Sequence, residues 1–424
     1  MEHQLVMKNL STEENRAINS IDENGLVDAI CQLVAIESVG GVETPAQQWV
    51  AHLMGEIGLE VDSWELNFDE LAKHPGYSTE IDRSHGLGIV GRTVGGSTED
   101  GLIYNGHVDV VPSGHIERWS NPPFEPRIKE GRIYGRGAVD MKAGLCSAIF
   151  AAKAIMDADI RLKTPLMIES VIGEEDGGVG TLGAIVRGYK ARGAVVMEPT
   201  GLEVVTTGAG CQNFRLRVAG RAAHGALRNE GVSAIQKSAV ILSALDAFEQ
   251  ERNKGGDSMI PGQLPFPICV GKITGGEWAS SVAEEVLLEG RYGIRPGETV
   301  TTAREVFEEA MAKAASGDAW LNVNRPEIEW WGGRFEPASV DPDVGIAATV
   351  QESHLTVTGT EPRVTGVPYG SDMALLVNHG STPAILYGPG NVRNAHSPDE
   401  FVPIDEVLIA TRTLALAAIR FCGT

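Results

Sequence analysis

Five short segments constrain what this chain can fold into more than anything else in it. They read LIYNGHVDVVPSG, IYGRGAVDMKAG, IESVIGEEDGG, AVVMEPTG and GPGNVRNAHSPDEF. In each, an apolar, strand-like run meets a glycine-rich loop. Between them they carry His107, Asp109, Asp140, Glu174, Glu175, Glu198 and His396. Strand-like runs that alternate with helical spacing predict an α/β layer with a mostly parallel central sheet. Ligands of such sheets gather beyond the carboxyl ends of the strands. Residues far apart in sequence therefore have one place to meet.

The spacing predicts helices at Gly25–Ile36 and Pro45–Ile57, and strands at Leu59–Leu66, Leu87–Val94 and Leu102–Asn105. Ile128–Tyr134 reads as a hairpin with Glu130-Gly131 as its turn. Met141–Met156 is an Ala-rich apolar helix, and Leu166–Ile172 and Ala194–Met197 are strands separated by a helix over Gly180–Arg192. Near Gly210 the order changes: strand Asn213–Val218, helix Val232–Arg252, strands Ile268–Thr274 and Glu285–Ile294, helix Thr302–Ala315, strand Glu327–Trp331. This βαββαβ order is that of a ferredoxin-like α+β module. After Pro342 the α/β pattern returns, with helices Val344–Thr356, Ser371–Asn378 and Ile404–Phe421 and strand Ala384–Tyr387. The expected organisation is a catalytic domain in two parts, 1–209 and 336–424, with a smaller domain, 210–335, inserted between them.

At 424 residues the chain is long for a single core. A net charge of −22 repels phosphate backbones and anionic lipid, so neither nucleic acid nor membrane is an expected partner. The five cysteines, Cys31, Cys146, Cys211, Cys269 and Cys422, include no CxxC and read as small apolar core residues in a reducing compartment. The N-terminus lacks the basic and apolar regions of a signal peptide, and no run of about 18 apolar residues occurs. A soluble, cytoplasmic protein is expected.

Two imidazoles and three carboxylates suit two zinc ions bound through nitrogen and oxygen, since no cysteine lies in the five segments. Ions about 3.5–4 Å apart need a bridging carboxylate. Asp140, at a glycine-flanked bend that opens a helix, is the natural bridge. His107 and Glu198 would complete one shell, and Glu175 and His396 the other. Asp109 can reach the far nitrogen of His107 and fix its tautomer. Glu174 is left as the general base.

The order GHxDxVP, GRGxxDMK, GEED, EPT and AHS resembles the M20 metallopeptidase family, the group of acetylornithine deacetylase, succinyl-diaminopimelate desuccinylase, aminoacylase and glutamate carboxypeptidase. The likeness runs from about Ile30 to the C-terminus. It implies a catalytic domain with two divalent metal ions, zinc or cobalt, and an inserted lid through which the chain forms a homodimer. It implies the same ligand roles, and a cis peptide bond after Asp140. By resemblance, His224 would hydrogen-bond the developing oxyanion, in many relatives across the dimer. Arg291 would bind a substrate carboxylate, with Arg295 a nearby decoy. Ser280 stands where many relatives have a substrate-binding asparagine, and Ala283 where they have proline. Gly370 and Asp372, in the loop YGSDM, and Asn391 would line the substrate pocket.

The expected reaction is hydrolysis of the amide of an N-acyl amino acid. The rivals are a dipeptidase or carboxypeptidase of the same family, a lyase or transferase using the same metals, and a ligand-binding homologue with a dead site. Loss of Glu174 or of a ligand would mark the last, and none is lost.

Overall fold

The structure, a computed structural model, describes residues 10–424. The expectation about a signal peptide is read from residues 1–16, of which 1–9 lie outside the described residues. The chain forms two compact units. The first runs to Thr206 and resumes over Ser339–Thr365 and Ser371–Thr424; the second is Thr207–Ala338 with Gly366–Gly370.

The sheet of the first unit runs Glu60–Glu65, Leu87–Arg92, Leu166–Val171, Leu102–His107, Gly193–Val196 and Ala384–Leu386. It then reaches Val204–Gly208, where the chain passes toward the second unit. Leu166–Val171, Leu102–His107, Gly193–Val196 and Ala384–Leu386 pair in parallel. The strands on either side pair antiparallel. Every residue of Leu102–His107, Leu166–Val171 and Gly193–Val196 is buried, as parallel strands covered on both faces require. Helices Ala143–Asp157 and Ile404–Cys422 pack together over this sheet.

Local chemistry explains the element ends. Asp22 caps helix Glu23–Ala35 by accepting from the Gly25 N–H. Helix Val179–Arg187 is shorter than the pattern suggested, because Gly188 adopts a left-handed φ of 102° and stops it. The Glu130-Gly131 turn has both residues at positive φ, 52° and 71°, the geometry of a two-residue hairpin turn. Helix Thr12–Asn19 was not anticipated, although Ser11 and Glu14 form a capping box that marks its start.

In the second unit the sheet order is Ile268–Gly275, Glu285–Ile294, Gly210–Ala219, Glu327–Phe335, all antiparallel. With helices Ala234–Arg252 and Val300–Ser316 this is the ferredoxin-like arrangement. One sheet face supplies Phe214, Leu216, Val218, Val286, Leu288, Tyr292 and Ile294 to a core that includes Ile241, Leu245, Phe307 and Met311. Trp330 joins this core, and its indole donates to Glu308. Trp331 points the other way, under the Arg215 guanidinium at 3.6 Å.

Among the described residues no helix is long and apolar enough to cross a membrane. All five cysteines are free. Cys146 and Cys422 are buried as expected, but Cys269 is exposed, because it lies on the outermost strand of the second unit's sheet.

Candidate metal centre

His107 is the last residue of strand Leu102–His107. Glu174 and Glu175 follow strand Leu166–Val171, and Glu198 follows Gly193–Val196. These strands are neighbours in the sheet, so their carboxyl ends bring the side chains to one edge. The Asp140–Met141 peptide is cis, and Asp140 lies in the bend that precedes helix Ala143–Asp157. His396, at φ 57°, enters from the loop after Val392–Asn394. Gly388 lets that loop approach: a Cβ there would sit 2.5 Å from the Met197 carbonyl oxygen and 2.6 Å from that of Glu198.

The two oxygens of Asp140 face different imidazoles. Oδ1 is 3.2 Å from His107 Nε2, and Oδ2 is 3.4 Å from His396 Nε2. On the His107 side, Glu198 Oε1 and Glu174 Oε2 are each 3.9 Å from Nε2. On the other side, Glu175 Oε1 is 3.1 Å from His396 Nε2. Close donor clusters that could hold an ion are His107, Glu174, Glu198 and His107, Asp140, Glu175. The His107 ring is fully buried, whereas the His396 side chain is 52% exposed.

Asp109 holds its neighbours in an unanticipated way. The backbone carbonyl of Asp109 accepts from His107 Nδ1 at 2.9 Å, while its carboxylate stands at 3.7 Å. The carboxylate instead accepts the Glu175 N–H at 3.0 Å. The carbonyl therefore places the proton on Nδ1 and turns Nε2 toward the acids.

The electrostatics call for cations. Burial, and then the neighbouring Glu198, pushes Glu174 well above the usual carboxylate range. Burial, and then Asp140, does the same to Glu198. Glu175 is raised for the same two reasons. Asp140 alone is held low: although burial opposes it, hydrogen bonds with His107 and His396 dominate. Glu198 Oε1 and Asp109 Oδ1 are buried with no hydrogen-bond partner. Buried acids at this density are stable only when paired or metal-bound. The donors are all nitrogen and oxygen, so the residues fit two divalent ions of the zinc type.

The remaining candidates are divided between the two units. His224 and Ser280 sit together in the second unit, where the Gly225 N–H donates to the Ser280 carbonyl. His224 Nδ1 accepts from the Ala226 N–H at 3.1 Å, which leaves Nε2 to carry the ring's proton. Arg291, on strand Glu285–Ile294, donates through Nη2 to the Pro368 carbonyl. Arg295 donates to the Arg252 carbonyl. Gly370 packs against Phe335. Asp372 is 1% exposed and accepts from Thr181 Oγ1 at 2.6 Å, inside the first unit. Asn391 accepts from the Arg393 N–H and bridges to Thr200.

Sequence reasoning passed over Asp176, although it completes the EED run. Its carboxylate takes both Arg83 Nη groups at 2.8 Å and the Thr79 hydroxyl at 2.8 Å. Arg83 also donates to Glu43, and the trio is buried. Nothing local in residues 43 or 83 announces this anchor.

Fold and site together define a dinuclear metal-dependent hydrolase. The chain belongs to peptidase family M20/M25/M40, whose family model matches residues 103–420. It is similar to the N-formyl-4-amino-5-aminomethyl-2-methylpyrimidine deformylase of Bacillus subtilis (strain 168), 32% identical over 398 residues and 89% of each chain. It is also similar to the acetylornithine deacetylase of Myxococcus xanthus, 27% identical over 77% of this chain and 82% of that one. A tripeptidase from Staphylococcus aureus shares the fold, with a TM-score of 0.72 and 21% identity over 95% of this chain and 99% of the other.

Proposed function

We propose that this hydrolase removes a short acyl group from the nitrogen of a small amine or amino acid, with Glu174 as general base. The observation that carries the reading is Asp140, whose two oxygens face two separate imidazoles while Glu174 stands on the His107 side. Two of the similar relatives are, by name, a deformylase and a deacetylase. Both names describe loss of a small acyl group from nitrogen, which supports the deacylase reading over peptide cleavage.

His107, Asp140 and Glu198 would hold one ion, and Asp140, Glu175 and His396 the other. When bound, such ions polarise a carbonyl and make a nearby water more acidic. The chain's own residues do the rest. Glu174 accepts a proton from the water as its oxygen attacks the acyl carbon. Glu174 then delivers that proton to the leaving nitrogen as the C–N bond breaks. The products are a carboxylate and an amine. Asp109 keeps the His107 ring oriented. We assign His224 the donor to the developing oxyanion, through its Nε2–H, and take the second unit as the lid and dimer-forming domain.

The test is a screen of N-formyl and N-acetyl amines and amino acids against dipeptides, with zinc or cobalt supplied and free amine measured. Release from acyl amines, with dipeptides much slower, is expected. Cleavage of dipeptides alone would replace this reading with the peptidase one. Incorporation of labelled solvent oxygen into the acid product is expected too, and its absence would point to acyl transfer.

A further inference from the structure

We propose that Glu400 is a positioning residue that locks the His396 loop onto the Asp140 bend and thereby sets the affinity for the ion on the His396 side. The inference rests on the dinuclear reading. The two imidazoles are held by different means. His107 is in a buried strand with its Nδ1 bonded to the Asp109 carbonyl. His396 is a half-exposed side chain on a loop of largely exposed residues. That loop is tied down just beyond the histidine. Asp399 accepts from the Ser120 N–H at 2.8 Å and its hydroxyl at 2.7 Å. Glu400 is buried and uses both its oxygens.

Glu400 Oε1 accepts from the Val139 N–H at 3.0 Å and the Asp140 N–H at 3.3 Å. Oε2 takes Arg136 Nη1, and the Glu400 carbonyl accepts the Gly135 N–H at 3.0 Å. Phe401–Pro403 then pairs with Arg132–Tyr134. One side chain thus grips the peptide of the bridging carboxylate and, through four residues of chain, fixes where His396 stands. Both oxygens are needed. Glutamine has the same shape but one acceptor oxygen, so either Arg136 or the two backbone N–H groups would face an NH2 donor.

The test uses the full-length protein, stripped with chelator and titrated with Co2+, with stoichiometry and affinity read by calorimetry and by the cobalt absorption spectrum. Wild type is expected to bind two ions. Glu400→Gln is expected to keep one within about threefold and to weaken the other by about 10–100-fold, the usual range for an outer partner of a metal ligand. Two unchanged sites, or equal loss of both together with a lowered Tm, would overturn the proposal, the latter marking a merely structural role. Fewer than two ions in wild type would overturn the dinuclear reading itself, and the proposal with it. Should Glu400→Gln not fold, Arg136→Lys keeps the charge but loses the guanidinium fork. It is expected to show the same one-site loss, and retention of both sites would count against the idea.

Discussion

In the proposed mechanism Glu174 is the residue on which the chemistry turns. It is buried beside Glu198, and its oxygen stands 3.9 Å from His107 Nε2. Replacing it with glutamine keeps size and hydrogen bonding but removes the proton acceptor. Glu174→Gln is expected to lower kcat by about 10²–10⁴-fold, the span of general base catalysis, with metal content unchanged. Turnover within a few-fold of wild type would show that the base lies elsewhere. The oxyanion role proposed for His224 would fall to one particular atom. Because Nδ1 is occupied by the Ala226 N–H, Nε2 would be the donor in that role. If that donor serves a partner's site, mixing Glu174→Gln with His224→Ala subunits restores one competent site per heterodimer. Measured recovery of activity would support action across the dimer, and none would place His224 in its own chain's site.

At the scale of elements, the turns after the strands matter more than the strands. The Glu174–Glu175 turn is tethered on both sides: Asp109 takes the Glu175 N–H, and Asp176 is gripped by Arg83. Arg83→Met would leave Asp176 and Glu43 buried without their cation. The expected loss is about 3–5 kcal/mol of unfolding free energy, as for other broken buried pairs, read from the denaturant midpoint. A loss below about 1 kcal/mol, the value of a surface pair, would show that the anchor is not needed. Helical spacing located helices such as Glu23–Ala35 and Thr44–Glu56 well, because burying one face leaves a periodic mark. Strand Val204–Gly208 escaped because a short buried run, VVTTG, carries no period. The antiparallel flanks of the sheet escaped for another reason: strand direction is set by the path of the connections, not by the strand's own residues.

The whole molecule links the centre to stability. Glu174 and Glu198 are raised by burial, and Glu169 and Asp372, deeper in the same unit, are pushed up to about 7. A carboxyl raised on folding binds more protons in the native state than in the unfolded one. These carboxyls then make the metal-free protein less stable as pH rises above about 4.5 toward 7. His107 and His396 are raised as well, but their contribution is complete below the ordinary histidine value and fades only above it, while His354, pushed down to about 4 by burial, opposes the carboxyls below that value. Asp140, held low, adds stability already complete above its ordinary value. The Tm of chelator-treated protein should therefore drop from pH 5 to pH 7, and zinc should restore more at pH 7 than at pH 5. A Tm that rises over this range without metal would contradict the charge assignment.

Sequence alone determined most of the elements, the alternation of strand and helix, the βαββαβ order, and the placing of His107, Glu174, Glu175 and Glu198 just after strand runs, because periodicity and strand-end placement are local properties. It also marked Glu174 as the acid left over once the ligands were counted. Only the tertiary structure decided which oxygen of Asp140 meets which imidazole, that the Asp109 carbonyl rather than its carboxylate holds His107, and that Cys269 faces solvent. It alone joined Arg83 to Asp176, 93 positions apart, and Glu400 to the Val139 N–H, 261 positions apart. The physical reason is that a hydrogen bond depends on where two atoms end up, and chain segments that far apart leave no trace of each other in their own composition.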